Sequence, residues 1–363
     1  MVKRLPQIFI VMVLAYGLLA SIRISVTTAP DFSVYYRAAL AMVQGRSPYQ
    51  APDLYTGLGY PPFSLLPYVP LTLLPEKIAQ VIFLGISLVA LFPIAAWSLK
   101  LSGQLPNFQI VLLLVAVAQL MFPVRFTLGM GQSNLLALFL LLGGFLYRSQ
   151  NISAAYWAVM FLVKPHLLFL IPFLIISGQL IKVAFSLIIL TAVVGAGLTA
   201  TGLASSWYYL SKEVPQLAVF AGREIYYNQG VAAFFSRFLD YNSARLAAYF
   251  ASAVIFGVSL IIAVRNKKLA FFIGLPAFLL IEPLSWQHHY VFLIPVLVYL
   301  YFGPETKFQL TAIIALILVS INWESPQLIQ KSFFGRIALS HVFFGTLIAW
   351  ASVIYKALRK KPG

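Results

Sequence analysis

The 363-residue chain has no cysteine, nine acidic residues and four histidines. Without cysteine there is no disulfide, no thiolate metal site and no thiol redox chemistry. So few acids also argue against a metal centre, which needs several well-placed ligands. Charge of either sign is scarce: charged residues make up 9% of the chain against 61% hydrophobic, and the mean hydropathy is +0.91. That balance excludes an ordinary soluble globular domain. Internal repeats, Gly/Ser linkers and low-complexity tracts are missing as well, so residues 1–363 read as a single domain.

What is present is a series of apolar runs of about 15–22 residues, the length of a helix crossing a hydrocarbon core of about 30 Å. Alternating ten-residue strands, the mark of a membrane β-barrel, are not seen. The expected fold class is therefore an all-α polytopic membrane protein. The net charge of +16 comes from basic residues spread singly through loops. That pattern suits topology control and contact with anionic lipid headgroups, not nucleic acid.

The first run, residues 5–26, follows Lys3 and Arg4, which places the N-terminus in the cytoplasm. Arg23-Ile24-Ser25 makes a poor cleavage site, so the run reads as a retained span and not a signal peptide. Continuing along the chain gives about twelve spans with both ends cytoplasmic. They exit at Lys100, Arg148, Lys182, the basic cluster from Arg265, Lys307 and the C-terminal tail. In this topology residues 125–134 form an external turn, and a break at Lys182 separates the sixth and seventh spans. Residues 61–75, apolar but carrying Pro67 and Pro70, read as a half-helix dipping into the outer leaflet.

Two long external loops result, residues 27–76 and 204–243. The first opens at Asp31. From there to Gln44 the apolar residues Phe32, Tyr35, Tyr36, Ala39, Leu40 and Val43 recur at helical spacing, the pattern of an amphipathic helix lying on the membrane surface. Turn residues such as Gly45, Pro48, Pro52 and Gly57 follow. Long ordered loops in a chain of short ones are where chemistry is usually placed.

The polar residues that interrupt the apolar runs all fall on the outer side: Asp31, Arg125, Gln132, Asn134, Lys164, His166, Asn228, Gln229, Arg237, Glu282, Trp286, His288 and His289. Charged groups at the hydrocarbon edge are costly and tend to face a cavity or each other, so one outward-facing cavity is expected. Asp31 is the candidate general base, because a carboxylate in a dry site has a raised pKa. Its plainer reading is an N-cap of the following helix. His288 and His289 are candidates for contacts to phosphate or sugar, or interfacial anchors beside Trp286. Adjacent histidines on a helix point to different faces, so one of them is expected in the cavity. Lys164, Arg125 and Arg237 are candidate phosphate partners, with snorkelling to headgroups the alternative for Lys164. Gly129, Gly131, Gln132 and Asn134 suggest a tight turn. Most of the tyrosines read as belt or packing residues; a few, Tyr35 and Tyr60 among them, are candidates for stacking on sugar.

These residues occur in a recognisable order. An Asp opens the first external loop, followed by an Ala-rich helix, G-x-S-P-Y at 45–49, Y-P-P at 60–62 and P-x-x-x-L-P at 70–75. G-Q-x-N at 131–134, K-P at 164–165, N-Q-G at 228–230 with Arg237 after it, and P-L-S-W-x-H-H at 283–289 complete the series. The series resembles glycosyltransferase family 87, membrane enzymes of the GT-C type that include polyprenyl-phosphate-mannose-dependent mannosyltransferases and related arabinofuranosyltransferases. The resemblance implies a GT-C-type bundle in the cytoplasmic (inner) membrane with its active site facing the extracytoplasmic side. It implies a polyprenyl-phosphate sugar donor, most readily mannose, a lipid or glycan acceptor, inversion at the sugar, and Asp31 as base. No cofactor or metal, no nucleic acid and a monomer are expected with it. His288, His289, Lys164, Arg237 and Arg125 would serve the donor phosphate and sugar. Tyr35, Tyr60, Gln132, Asn134, Asn228, Gln229, Glu282 and Trp286 would contact acceptor or sugar. Two other classes share a cationic outer cavity: a flippase of lipid-linked sugars, which favours a midplane site between discontinuous helices, and a ligase or polymerase using a lipid-diphosphate donor, which needs no acidic base.

Overall fold

The computed structural model describes residues 5–27, 29–50, 58–147, 149–220 and 222–359. The turn residues Pro52 and Gly57, the cationic marker Arg148 and the last four residues lie outside these. Every described element is helical, and the described residues contain one isolated antiparallel bridge, between Asn228 and Trp286. Four helices are long and apolar enough to cross a membrane: Glu76–Leu101, Pro165–Leu198, Tyr241–Arg265 and His341–Arg359. A fifth is added if Phe108–Leu120 and Phe122–Met130 together make one span. The remaining apolar helices are shorter, so the chain is an all-α membrane protein in which length and composition alone mark four or five spans.

The chain divides into two compact units. One contains Met1–Pro93, Arg125–Leu168 and Ile181–Val219; the other contains Ile94–Val124, Phe169–Leu180 and Phe220–Gly363.

In the first unit, α1 (Leu5–Thr27) leads to α2 (Pro30–Val43). The expected helix from Asp31 is present, and half of its residues are buried. Phe32, Val34, Tyr35, Tyr36, Ala38, Ala39 and Ala41 are all buried, which covers most of its circumference. Phe32 packs 5.1 Å from Phe83, which lies on α3 (Glu76–Leu101). Arg37 Nε and Ser33 Oγ both donate to the Glu76 carboxylate, at 3.2 and 2.5 Å, fixing α2 to the start of α3. Between them, Pro62–Leu73 winds as a 3-10 helix. Pro67 and Pro70 lack the N–H that an α-helix would use there, so the tighter pattern wins.

The stretch after α4 (Phe108–Leu120) departs from expectation. Residues 125–130 are not a turn but the greater part of a helix, α5 (Phe122–Met130). The break falls earlier, at Met121, whose ψ of 130° leaves the helical region. Pro123 two residues on explains this, since proline is accepted in the first turn of a new helix but not inside an old one. The true turn is Gly131 to Ser133, and α6 (Asn134–Leu146) follows. It pairs with α7 (Gln150–Val163), where buried Trp157 donates from Nε1 to the Leu141 carbonyl at 3.1 Å. The expected break at Lys182 is also displaced. The helix runs through that residue, and the kink lies at Gly178, with φ of 86°. Lys182 instead donates to the carbonyl of Tyr147, at 2.8 Å, past the end of α6.

The second unit is built on the Tyr241–Arg265, Ala270–Ile281, Thr306–Ser320 and His341–Arg359 helices. Phe169 packs on Phe256 at 5.1 Å and on Phe278 at 6.0 Å. Asp240 caps the first of these helices by accepting from the Asn242 and Ser243 amides, at 3.1 and 3.2 Å.

Candidate functional site

In the first unit the chain approaches its main polar cluster through a strained residue. Ala29 has φ 45° and ψ 48°, the left-handed region that a side chain normally avoids. It is fully buried, and its amide donates to the Gly129 carbonyl at 2.7 Å. Ala29 is the cap of α2, with Pro30 and Asp31 in the first turn, and no side chain caps the helix. The N-cap reading of Asp31 is thereby overturned, since Ala29 occupies that position. The Asp31 carboxylate points elsewhere, and Oδ2 accepts from Gln132 Nε2 at 2.6 Å.

Gln132 gathers the cluster. Its Oε1 accepts from Lys164 Nζ at 2.7 Å and from the Tyr35 hydroxyl at 3.1 Å. Lys164 also donates to the Tyr60 hydroxyl at 2.9 Å. Five residues from four separated stretches, Asp31, Tyr35, Tyr60, Gln132 and Lys164, therefore form one continuous network. Lys164 is 0% exposed, so it does not snorkel to headgroups. It terminates α7, where the helix dipole favours a cation. Burial raises the pKa of Asp31 above the ordinary carboxylate value, opposed by the Gln132 hydrogen bond and the Lys164 charge.

The Gly131 position explains how Gln132 reaches Asp31. Gly131 has φ of +70°, and a Cβ there would stand 2.5 Å from the Phe32 Cβ. The turn can dock against the start of α2 only with glycine at this point. Asn134 begins α6 and is fully buried. Arg125 lies on α5, half-buried, with its Nε buried and without a hydrogen bond. Sequence reasoning did not single out Ala29 or Tyr68. Tyr68 packs 5.1 Å from Tyr35 and hydrogen-bonds the Ser133 side chain. Neither carries a sequence signal, because an alanine and a tyrosine in apolar surroundings look like packing.

In the second unit the N-Q-G and P-L-S-W-x-H-H segments, more than fifty residues apart, lie side by side. The Gln229 amide donates to the Ser285 carbonyl and the Gln287 amide to the Tyr227 carbonyl, both at 2.8 Å. A Cβ on Gly230 would sit 2.8 Å from the Glu282 carbonyl oxygen, so this glycine permits the close approach. The Gln229 side chain donates to the Tyr226 and Leu339 carbonyls, at 2.6 and 2.8 Å. Arg237 is buried, and its guanidinium donates to the carbonyls of Glu224, Ile225, Tyr226 and Asn228 and to Ser340 Oγ. Burial pushes its pKa down to about 10, which leaves it charged at neutral pH. Arg237 and Gln229 thus hold the loop in shape from inside.

His289 and Glu282 form a buried pair, with Nδ1 2.9 Å from Oε2. A carboxylate on Nδ1 fixes the ring orientation and places a proton on that nitrogen, so Nε2 carries the acid–base capacity. His288 stacks on Trp286 with ring centroids 6.4 Å apart and planes 11° from parallel. The two histidine rings are nearly perpendicular, at 74°. Asn228 Oδ1 and Gln287 Oε1 are buried acceptors without a hydrogen bond. The Glu282–His289 pair supplies two potential metal ligands. Asp31, Tyr35, Tyr60, Gln132 and Lys164 thus form one network in the first unit, and Asn228, Gln229, Glu282, Trp286, His288 and His289 lie on two adjacent segments in the second.

Comparison with known proteins places these networks in context. The model of glycosyltransferase family 87 matches residues 58–283, well over half of the chain. The matched segment contains Tyr60, Gln132, Lys164, Asn228, Arg237 and Glu282 and begins after Asp31. A polyprenol-phosphate-mannose-dependent alpha-(1-2)-phosphatidylinositol pentamannoside mannosyltransferase from Mycobacterium tuberculosis (strain CDC 1551 / Oshkosh) is 25% identical over 323 residues, covering 84% of this chain and 72% of that protein. The protein of the same description from Mycolicibacterium smegmatis (strain ATCC 700084 / mc(2)155) is 23% identical over 346 residues, covering 84% of this chain and 75% of that protein. No solved structure matches.

Proposed function

The chain belongs to glycosyltransferase family 87, and from that membership we propose that it transfers mannose from polyprenyl-phosphate-mannose to a hydroxyl of a lipid or glycan acceptor. The donor is the one in the descriptions of both mycobacterial relatives. Their acceptor, a phosphatidylinositol mannoside, is the first to test here. The GT-C-type arrangement of about twelve spans, a single integral domain over residues 1–363, an inner-membrane location with the active face outside, and a monomer belong to the same proposal.

The observation that carries the mechanism is the Asp31 carboxylate. One oxygen, Oδ2, is held by Gln132. The other, Oδ1, accepts no hydrogen bond among the described residues. In the reaction Oδ1 takes the proton of the acceptor hydroxyl as the hydroxyl oxygen bonds to the anomeric carbon. The bond from that carbon to the donor phosphate breaks, and its electron pair leaves with the polyprenyl phosphate. Attack opposite the leaving group inverts the anomeric centre. The phosphate is already a stable leaving group, so the protein supplies position and a base, and no metal is required. In the second unit, His289 held by Glu282, with His288 and Trp286 beside it, is a candidate contact for phosphate or sugar. Asn228 Oδ1 and Gln287 Oε1 are acceptors for sugar hydroxyls. Arg237 holds the loop that carries them.

Purified protein in lipid nanodiscs, given labelled polyprenyl-phosphate-mannose and phosphatidylinositol mannosides, tests the reading. Label should enter a new glycosidic bond of inverted configuration, and GDP-mannose should not replace the donor. Donor that only crosses the bilayer, with no new bond, would make the protein a flippase instead.

A further inference from the structure

We propose that Lys164 and Gln132 form a positioning relay for Asp31, in which the lysine locks the glutamine amide so that its N–H is committed to the carboxylate. This inference rests on the reading of Asp31 as the base, and it removes both residues from the substrate contacts.

The accounting at Gln132 is complete. A glutamine oxygen has two acceptor positions, and here Lys164 Nζ and the Tyr35 hydroxyl occupy them at 2.7 and 3.1 Å. Reversing the amide would turn two N–H donors onto an ammonium group. The orientation is therefore dictated by charge, and Nε2 must face Asp31, where it stands 2.6 Å from Oδ2. Lys164 is held in turn by the Tyr60 hydroxyl at 2.9 Å and lies 5.0 Å from that ring's centre. A buried ammonium with no charge partner is strongly unfavourable. Asp31 supplies that charge through one intervening amide, and its pKa feels Lys164 directly.

The backbone carries the same message. The Gly129 carbonyl accepts from Ala29, and Gly131 packs on Phe32. Both contacts flank Asp31 and Gln132, so the distance between these side chains is set by main-chain docking and not by a flexible loop.

The groups facing Asp31 within this unit are Gln132, Lys164, Tyr35 and Tyr68, with Tyr60 behind the lysine. Lys164 is the cation among them. Loss of either relay member removes a stabiliser of the charged carboxylate, so the base should hold its proton to higher pH.

The test compares wild type, Gln132→Met, Gln132→Glu, Lys164→Met, the Gln132→Met/Lys164→Met double variant and Asp31→Asn in nanodiscs. The protonated-carboxyl infrared band lost in Asp31→Asn is followed against pH, and transfer is measured with labelled polyprenyl-phosphate-mannose. Gln132→Glu keeps the size and the lysine partner, which guards against misfolding as the explanation. The midpoint should move to higher pH in each single variant. Transfer should fall about 10- to 100-fold near neutrality, as for loss of a hydrogen bond to a charged group, with donor KM within about twofold of wild type. Because the lysine acts mainly through the glutamine, the losses of the two single variants should sum to more than that of the double variant. An unmoved midpoint, or a raised donor KM with an unchanged pH profile, would overturn the relay and return both residues to substrate binding. Full transfer by Asp31→Asn would instead refute the base, and the infrared midpoints still decide whether the relay exists.

Discussion

Gly131→Ala is the substitution for which the structure gives the clearest magnitude. Two costs add. A left-handed backbone disfavours an L side chain by about 1–2 kcal/mol, and Gly131 has φ of +70°. The new methyl carbon would stand 2.5 Å from the Phe32 Cβ and 3.1 Å from both the Ala29 Cβ and the Phe32 amide nitrogen. These are fixed atoms, not the ends of flexible side chains, so the turn or α2 must move, at about 1–3 kcal/mol. Together this is about 2–5 kcal/mol. The displacement also falls between Asp31 and Gln132, and a shift of about 1 Å in a catalytic group costs about 100-fold in rate. Gly103→Ala is the control, because Gly103 has φ of +77° with nothing within 4 Å of the built Cβ. It should cost only the backbone term and leave transfer intact. Apparent melting temperature in detergent and initial rate of mannose transfer read the two effects separately. If both variants melt alike and transfer alike, the docking of the 129–131 turn on α2 is not what positions the site.

Arg237→Leu should lower the melting temperature sharply and reduce transfer several-fold or more, because it strips the donor from four loop carbonyls; Arg237→Lys should rescue poorly, since one ammonium cannot span that fan. Glu282→Gln should reduce kcat about tenfold or more with little change in melting temperature, by releasing the His289 ring from its fixed orientation; unchanged kcat would make the pair purely structural. Treatment with EDTA should leave the transfer rate unchanged, and a loss restored by added divalent cation would contradict the metal-free mechanism. The wild-type rate should rise with pH through the raised pKa of Asp31, because only the carboxylate accepts a proton. The same shift means the folded protein binds that proton more tightly than the unfolded chain. Its stabilising contribution is therefore present at low pH and lost as pH rises through the folded value.

Local features were legible in the sequence. The helical spacing from Phe32 to Val43, the end of α7 at Lys164-Pro165 and the short broken segment around Pro67 and Pro70 all follow from rules that act within a few residues. Helix boundaries were legible where a proline or glycine acts directly, and misplaced where two such residues compete. Pro123 and Gly131 both interrupt the 108–134 stretch, and the sequence does not say that the proline begins a helix while the glycine ends it. The role of Asp31 was half legible. Its exposure to a dry site was inferred from position, but its partner lies 101 residues away, and nothing local distinguishes a cap from a held carboxylate. The same holds for Arg237, whose isolated charge in apolar sequence suggests a phosphate partner until its five protein acceptors are seen. The pairing of Asn228 with Trp286 has no periodic signature, being a single bridge between two loops.

The central claim is that Asp31 is the base of a lipid-linked mannosyl transfer. Single-turnover transfer from labelled polyprenyl-phosphate-mannose by wild type and Asp31→Asn in nanodiscs, with donor binding measured alongside, tests it most directly. The account predicts unchanged donor binding and a loss in the transfer step of about 100- to 10,000-fold, the contribution of a general base. Transfer by Asp31→Asn within a few-fold of wild type would contradict it.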